Sequence, residues 1–418
     1  MVRVVVAALV LIAAAGCSDE PSAKPASPPA SQTARNFILI TVDTLRADRV
    51  GAYGDRAART PAMDGLASRG TRFANAFAAA PITLPSHATM LTGRYPPGHG
   101  ARHNGMRVDA AVPTIAEVLS KQGFATAAFV GAFPLDRRFG LDRGFAAYGD
   151  QMPRTSDGRP SNERAGSAVV DEALAWLASH RTERFFLWVH LFEPHAPYGD
   201  ARRGGATAVR YGEEITEADR QIGRLIDSLG EAAASTLIAV TSDHGEAFGE
   251  HGEIAHSIFV YDTTLRVPWI LAGPGVEPRA IDAPVSLVDL APTAMALLGA
   301  GHFDADGITL DAALRGATIP DRTLYAESFA PLLDFGWSPL RAVRAGGWKY
   351  IAAPKPELYH LTEDRGETRN AILEGADRAR SLDTSVSRYS SDQLPVSRDI
   401  DREANARLQA LGYVSGRP

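Results

Sequence analysis

The chain has 418 residues, with 43 Lys and Arg against 49 Asp and Glu, and a formal net charge of −6. That length exceeds what one compact domain usually needs and suggests a large domain with a smaller one; the mild acidity, with no Lys/Arg-rich run, excludes nucleic acid as the main partner, because such binding needs a basic footprint. Apolar residues at 45% and charged residues at 22% match an ordinary soluble enzyme rather than a disordered or membrane-spanning chain.

The first residues do not belong to a fold. Arg3 gives a short positive region, Val4 to Ala15 form an apolar stretch, and Ala14-Ala15-Gly16 precede Cys17. This is the layout of a signal peptide, too short to serve as a lasting bilayer span. Cys17 is the single cysteine, so no intramolecular disulfide can form. Residues 1–17 resemble a bacterial lipoprotein signal, which implies cleavage before Cys17 and a lipid anchor on it, tethering the protein to a membrane without a span. Ser18, rather than Asp, after the cysteine implies by the same resemblance the outer membrane, and hence a cell-envelope location facing periplasm or exterior. Residues 18–35, with Pro21, Pro25, Pro28 and Pro29, have no periodic apolar face and read as a tether.

From Asn36 the texture alternates. Asn36 to Val42, Phe124 to Val130, Phe185 to Leu191, Thr236 to Thr241 and Val267 to Leu271 are short apolar runs of the kind that form buried strands. Helical patterns lie between them at Pro61 to Ser68, Thr114 to Gln122, Ala165 to Ser179 and Glu213 to Leu229. The alternation predicts an α/β fold, a mainly parallel sheet covered by helices on both faces, over residues 36–320. In such sheets the ligand site gathers beyond the carboxyl ends of the strands. The polar residues that follow strands, Asp43 and the pair Asp243-His244, are therefore the first site candidates. Residues 137–160 and 199–212, rich in Arg and Gly, are expected to line the mouth of the site. There Arg137, Arg138, Arg143, Arg202 and Arg203 would favour an anionic substrate.

From about Thr323 the pattern changes. Arg341 to Val343 and Trp348 to Ile351 alternate like antiparallel strands around Gly346-Gly347, and Glu357 to His360 adds another. Residues 321–418 thus read as a small C-terminal antiparallel α+β subdomain with a tail. Within it, 375–398 is expected to be a loop and Asp401 to Leu411 a helix.

The most specific local signal is Ala80-Pro81-Ile82-Thr83-Leu84-Pro85-Ser86-His87-Ala88-Thr89-Met90-Leu91-Thr92-Gly93-Arg94. It resembles the sulfatase signature, in which a Cys or Ser, one residue, Pro, one residue and Arg lead into a helix ending in Leu-Thr-Gly-Arg. Thr41-Val42-Asp43-Thr44-Leu45-Arg46 resembles the first metal strand of that family, and Thr241-Ser242-Asp243-His244-Gly245-Glu246 the second. The likeness runs in order from about Asn36 to Asn370. It implies the alkaline-phosphatase/sulfatase-like fold and an ester hydrolase with Thr83 as nucleophile, acting through a covalent intermediate. The physical sense is consistent. Thr83 precedes a helix expected to begin near Pro85, and a helix amino terminus favours an anion. A hydroxyl touching a divalent cation becomes a nucleophile because the cation lowers its pKa. Asp43, Thr83, Asp243 and His244 would hold one such cation, with Zn²⁺ or Mn²⁺ favoured over Ca²⁺ for oxygen donors plus one imidazole.

The departures from the family pattern matter as much. Thr83 carries a β-methyl group and cannot be oxidised to formylglycine, so none is expected. His87 stands where the signature has an Arg that supports the nucleophile, and Thr44 replaces the second Asp of the usual pair. In Gly131-Ala132-Phe133-Pro134, Ala132 and Pro134 replace the Lys and His that grip a sulfate. A Thr nucleophile looks like the phosphoryl-transfer branches of the superfamily, which implies phosphodiester or phosphonate esters as well as sulfate esters. Two alternatives stand beside this reading: a transferase moving a phosphoethanolamine- or phosphoglycerol-like head group, and an inert sulfatase-fold binding lipoprotein. In each case the partner is an anionic ester, on a glycan or a lipid head group.

Histidines supply the next layer. In Phe185 to Tyr198 the resemblance implies a His that meets the substrate oxyanion or leaving group; His195, just past the strand, is assigned that role and His190, within it, a substrate contact. His256 lies about where sulfatases place a substrate-binding Lys, and with His87 it joins the catalytic candidates, since imidazole titrates near neutrality. Asn104, with Arg102 nearby, is expected to bind a non-bridging oxygen. His251 reads as a loop residue, and Arg46 and Arg94 as structural.

Overall fold

The computed structural model describes residues 33–155, 158, 161–199, 206–389, 401–411 and 413. The expected signal peptide, Cys17, most of the tether, Arg202 and Arg203 lie outside these residues. No helix among the described residues is long and apolar enough to cross a membrane.

Strand β1 (Asn36–Val42) is buried along its whole length. Phe37 and Leu39 enter one core while Ile38, Ile40 and Val42 enter another, so a continuous apolar run is what a strand covered on both faces requires. Strands β5 (Phe185–Leu191) and β6 (Thr236–Ser242) flank it in parallel, with Thr41 opposite His190 on one side and Thr241 on the other. Beyond β5 lie β3 (Ala125–Val130) and β4 (Ala147–Gly149), also parallel. Beyond β6 come β7 (Arg266–Ala272) and β2 (Thr71–Phe77), and β2 pairs with both β8 (Arg279–Ile281) and β9 (Val285–Ser286). Only β7 runs against the other strands of this sheet.

Helices Pro61–Arg69, Gly166–Ser179 and Thr207–Asp227 cover one face; Thr83–Thr92, Ile115–Lys121 and Leu290–Leu297 cover the other. Thr207–Asp227 shows why: Tyr211, Ile215, Ala218, Ile222 and Leu225 fall on one stripe at helical spacing and are buried together.

The small sheet is antiparallel in chain order: β10 (Leu324–Ser328), β11 (Leu340–Ala345), β12 (Trp348–Ala352) and β13 (Glu357–His360). Gly346 and Gly347, at φ 56° and 77°, make the two-residue turn that needs positive φ at both positions. Its face meets the large layer through a buried cluster in which the Lys349 ammonium reaches Asp262 at 2.9 Å and Glu367 at 2.6 Å.

Several expectations change. Residues 375–398 are not all loop, because Ala379, Leu382 and Val386 form an apolar stripe that folds Ala376–Val386 into a helix on the small sheet. Residues 207–212 belong to a helix rather than to a mouth loop. Thr83–Thr92 begins at Thr83, not near Pro85; Pro is tolerated in a first turn because its missing N–H has no partner there. Arg137 pairs with Asp150, Arg138 with Asp136, and Arg143 donates to the carbonyls of Asp109, Ala110 and Val112, so these three fasten their own loops.

Candidate active site

Asp43 follows β1, Asp243 and His244 follow β6, and His190 is the penultimate residue of β5, so three adjacent parallel strands deliver these side chains to one carboxyl-end crevice. All four are fully buried. Asp243 Oδ1 accepts the backbone N–H groups of His244 at 2.9 Å and Thr44 at 3.3 Å. Asp243 Oδ2 and both oxygens of Asp43 have no hydrogen-bond donor, and burial raises the Asp43 carboxyl above its ordinary range.

His244 is oriented by its own chain. Its Nδ1–H donates to the Gly245 carbonyl at 3.0 Å, which leaves the Nε2 lone pair facing Asp243 Oδ2 at 3.4 Å and Asp43 Oδ1 at 3.7 Å. Burial alone would lower the His244 pKa, but the two carboxylates outweigh it and the pKa is raised. Lone pairs that converge from two carboxylates and an imidazole, away from water and without donors, repel one another unless a cation lies between them. The backbone carbonyl that fixes the tautomer is the outer support that metal-ligating histidines use. The donor set Asp43, Asp243 and His244 therefore fits a divalent cation.

His87, His190 and Asp243 also converge, but hydrogen bonding commits their rings elsewhere. His190 Nδ1 accepts from the Gly131 N–H at 3.3 Å, so its Nε2 carries the proton; that nitrogen lies 3.4 Å from Asp43 Oδ2 without forming a hydrogen bond to it. The indole N–H of Trp188 donates to Thr41 Oγ1 at 3.0 Å, and Thr41 Oγ1 donates to His87 Nε2 at 3.0 Å. The Nδ1–H of His87 then donates to the Thr83 carbonyl at 2.8 Å. Both ring nitrogens of His87 are used, and burial lowers its pKa to about 3. This neutral ring props the first turn of Thr83–Thr92 against the sheet.

Thr83 is the first residue of that helix and is 1% exposed. Ser86 Oγ donates to the Asp243 carbonyl at 2.6 Å, which fixes the helix start beside β6. The Leu84 N–H donates to Asn104 Oδ1 at 2.8 Å, and Asn104 Nδ2 is buried with no acceptor. Nucleophile candidate, helix amino terminus and a free amide donor thus meet at one point, as an incoming oxyanion requires.

His195 lies past β5; its Nδ1–H donates to the Ala196 carbonyl at 2.6 Å, and its ring centroid is 5.1 Å from that of His256. His256 Nδ1 is 3.0 Å from Glu246 Oε1, and the other Glu246 oxygen accepts the Tyr198 hydroxyl at 2.6 Å. Burial works against the Glu246 charge, yet His256, His195 and Tyr198 hold its pKa below the ordinary range. Arg102 forms a buried two-pronged pair with Glu327 of β10 and lies over the Phe329 ring, so it joins the two sheets. His251 stacks on Tyr261, and Arg46 ties Asp48 to Glu250.

Sequence reasoning passed over Glu246 and gave Thr44 no role. Glu246 was visible as an acid two residues past Asp243-His244. Thr44 sits at φ 55°, costly for a β-branched residue, with its buried hydroxyl unpaired beside Asp43.

Comparison with known proteins gives the family and the fold. A family model described as Sulfatase matches residues 35–300. The chain is 25% identical to the Delta 4,5-hexuronate-2-O-sulfatase of Bacteroides thetaiotaomicron over 463 aligned positions, covering 92% of this chain and 95% of that protein. Ps i-CgsB, solved with k-i-k-neocarrahexaose, superposes with a TM-score of 0.73 at 22% identity, over 91% of this chain and 98% of that one. The phosphonate monoester hydrolase of Agrobacterium radiobacter superposes at 0.69 with 21% identity, over 86% and 96%. The two structures share the fold.

Proposed function

The chain belongs to the sulfatase family, and from that premise we propose that it hydrolyses anionic sulfate or phosphonate-type esters with Thr83 as the nucleophile. The observation that carries this reading is the placement of Thr83 at a buried helix start whose Ser86 is bonded to Asp243, with both Asp43 oxygens, Asp243 Oδ2 and His244 Nε2 left without hydrogen-bond partners. Relatives named for a sugar sulfate and for a phosphonate monoester bracket the substrate class. Tetrahedral sulfate and phosphonate esters share a geometry, so one site serves either.

Thr83 Oγ1 bonds to sulfur or phosphorus as the ester's alcohol oxygen leaves with a proton. Water then cleaves the threonyl ester, which restores the hydroxyl and frees the anion. Asn104 Nδ2, the donor left free beside the helix start, would hold a non-bridging oxygen. His195 faces the leaving oxygen. Asp43, Asp243 and His244 would hold the metal, and oxygen donors with one imidazole favour Zn²⁺ or Mn²⁺. When bound, a divalent cation supplies charge neutralisation and a lowered hydroxyl pKa. No formylglycine takes part, because Thr83 cannot yield the aldehyde. A lipid anchor on Cys17 would set the enzyme at the cell envelope.

The test is a panel on the purified protein: an aryl sulfate, an aryl phosphonate monoester and a phosphodiester, each with Zn²⁺, Mn²⁺, Ca²⁺ or chelator. Turnover of the sulfate or the phosphonate that chelator abolishes is the expected result. Silence on all three, with metal bound, overturns it.

A further inference from the structure

The loop that carries Asn104 has no helix or strand of its own, yet Arg102, His103 and Asn104 are all buried. The first two are held from the small sheet's side. The Arg102 guanidinium reaches Glu327 Oε1 at 2.7 Å and Oε2 at 2.5 Å and lies over the Phe329 ring at 3.9 Å. His103 Nε2 lies 2.9 Å from Asp334 Oδ2, on the short helix Ala330–Phe335 that follows β10. The third residue is the one with the free amide. Asn104 Oδ1 is taken by the Leu84 N–H at 2.8 Å, so the amide cannot flip and Nδ2 is the end left without an acceptor.

Glu327 does more than hold Arg102. Its backbone N–H donates to the Ala79 carbonyl at 2.9 Å, just ahead of the helix Thr83–Thr92, and its Oε2 accepts the Tyr325 hydroxyl at 2.6 Å. One residue of β10 thus grips the lead into the nucleophile helix by its main chain and the Asn104 loop by its carboxylate. Net stability is a weak reason for such a pair, since desolvation cancels most of what a buried ion pair gains. A two-pronged pair adds fixed geometry, because the planar guanidinium fork meets a carboxylate in one orientation. An amide that must meet a developing charge at about 3 Å depends on that kind of fixing.

We propose that Glu327 and Asp334 are positioning residues for the ester cleavage: acting through Arg102 and His103, they hold the loop so that Asn104 Nδ2 faces a non-bridging oxygen of the ester attacked by Thr83. The C-terminal subdomain is in this way part of the active site without touching substrate. The proposal rests on the readings of Thr83 as nucleophile and Asn104 as oxyanion donor.

The experiment is a double-mutant cycle on the full, metal-loaded chain with the best substrate of the panel. Wild type, Asn104→Ala, Glu327→Gln and the double variant are compared by kcat, KM and melting temperature. Asn104→Ala should lower kcat by about 100-fold or more, as loss of an oxyanion donor does. Glu327→Gln keeps the shape but loses the charged fork; at a temperature where it is fully folded, its kcat should fall about 10-fold with KM within about twofold. The deciding result is the double variant. If Glu327 acts through Asn104, the double variant is no slower than Asn104→Ala alone, because no amide is left to misplace. A merely structural Glu327 would make the two losses multiply, and that product overturns the proposal. So does a Glu327→Gln protein with wild-type kcat, or a loss confined to KM. If Glu327→Gln does not fold, Asp334→Asn replaces it in the same cycle and is read the same way. Wild-type activity in Asn104→Ala removes the oxyanion reading and the proposal with it. A slow Asn104→Ala beside fully active Glu327→Gln and Asp334→Asn removes only the positioning role.

Discussion

Replacing Asp43 with Asn probes the metal reading through stability rather than turnover. Both Asp43 oxygens are buried without a donor, and such a group destabilises the metal-free fold by about 1–3 kcal/mol. The amide removes the charge at nearly constant shape, so Asp43→Asn is expected to melt above wild type in chelator. Added metal reverses the order. A cation at about 100 times its Kd stabilises the wild type by about 2.7 kcal/mol, while the variant has lost one of three ligands and gains little. Unfolding entropy of roughly 2 cal/mol/K per residue makes 1 kcal/mol worth roughly 1 °C for a chain of this size. The wild type should therefore gain about 3 °C on metal addition and the variant less than about 1 °C. Differential scanning calorimetry in EDTA and then in Mn²⁺ or Zn²⁺ reads both shifts. A variant with the full wild-type metal shift would refute the assignment of Asp43, and a wild type unmoved by any divalent ion would refute the site.

Two further outcomes follow from other parts of the molecule. Burial raises the Glu253 pKa to about 7, while one carboxylate oxygen accepts the Ile258 and Phe259 N–H groups. An acid whose folded pKa lies above its unfolded value holds its proton better when folded, so this stability is full below about pH 4.5 and lost as pH rises to about 7. Glu253→Gln keeps the acceptor and removes the titration; in chelator it should match wild type near pH 4.5 and exceed it by about 1–3 kcal/mol at pH 8 by urea unfolding. At the other end of the chain, Cys17→Ser should move the protein from the membrane fraction to the soluble fraction, and unchanged sedimentation with membranes would remove the lipid-anchor proposal.

The large sheet was legible because its central strands are buried on both faces. Asn36–Val42 and Phe185–Leu191 stand as unbroken apolar runs that periodicity cannot hide. Strand Thr71–Phe77 was missed because Arg72 and Asn75 interrupt the run, and the reversed direction of Arg266–Ala272 leaves no mark in composition. The helix Ala376–Val386 was hidden because it buries only a narrow stripe and carries Asp, Arg and Ser elsewhere. In the site, residues that immediately follow strands were readable from topology, and Asp43, Asp243 and His244 do converge. Arg102 is the instructive contrast: its sequence neighbourhood suggested a substrate contact, but its carboxylate partner, Glu327, lies on a strand of the other sheet. Tyr413 was illegible for the same reason. Nothing near it in the chain carries chemistry, and only the docking of Arg402–Ala410 on Phe133 brings its phenol to within 3.3 Å of His256 Nε2.

The central claim is that the Thr83 hydroxyl forms the bond to sulfur or phosphorus. Its most direct measurement is the mass of the Thr83-containing peptide after the metal-loaded protein is quenched in acid during turnover of a slow aryl phosphonate monoester. The account predicts an added phosphonyl mass on that peptide, mapping to Thr83 and absent from a Thr83→Ala protein that melts like wild type but turns over at least about a thousandfold more slowly. An adduct on another residue, or a Thr83→Ala protein that turns over within tenfold of wild type, would contradict it.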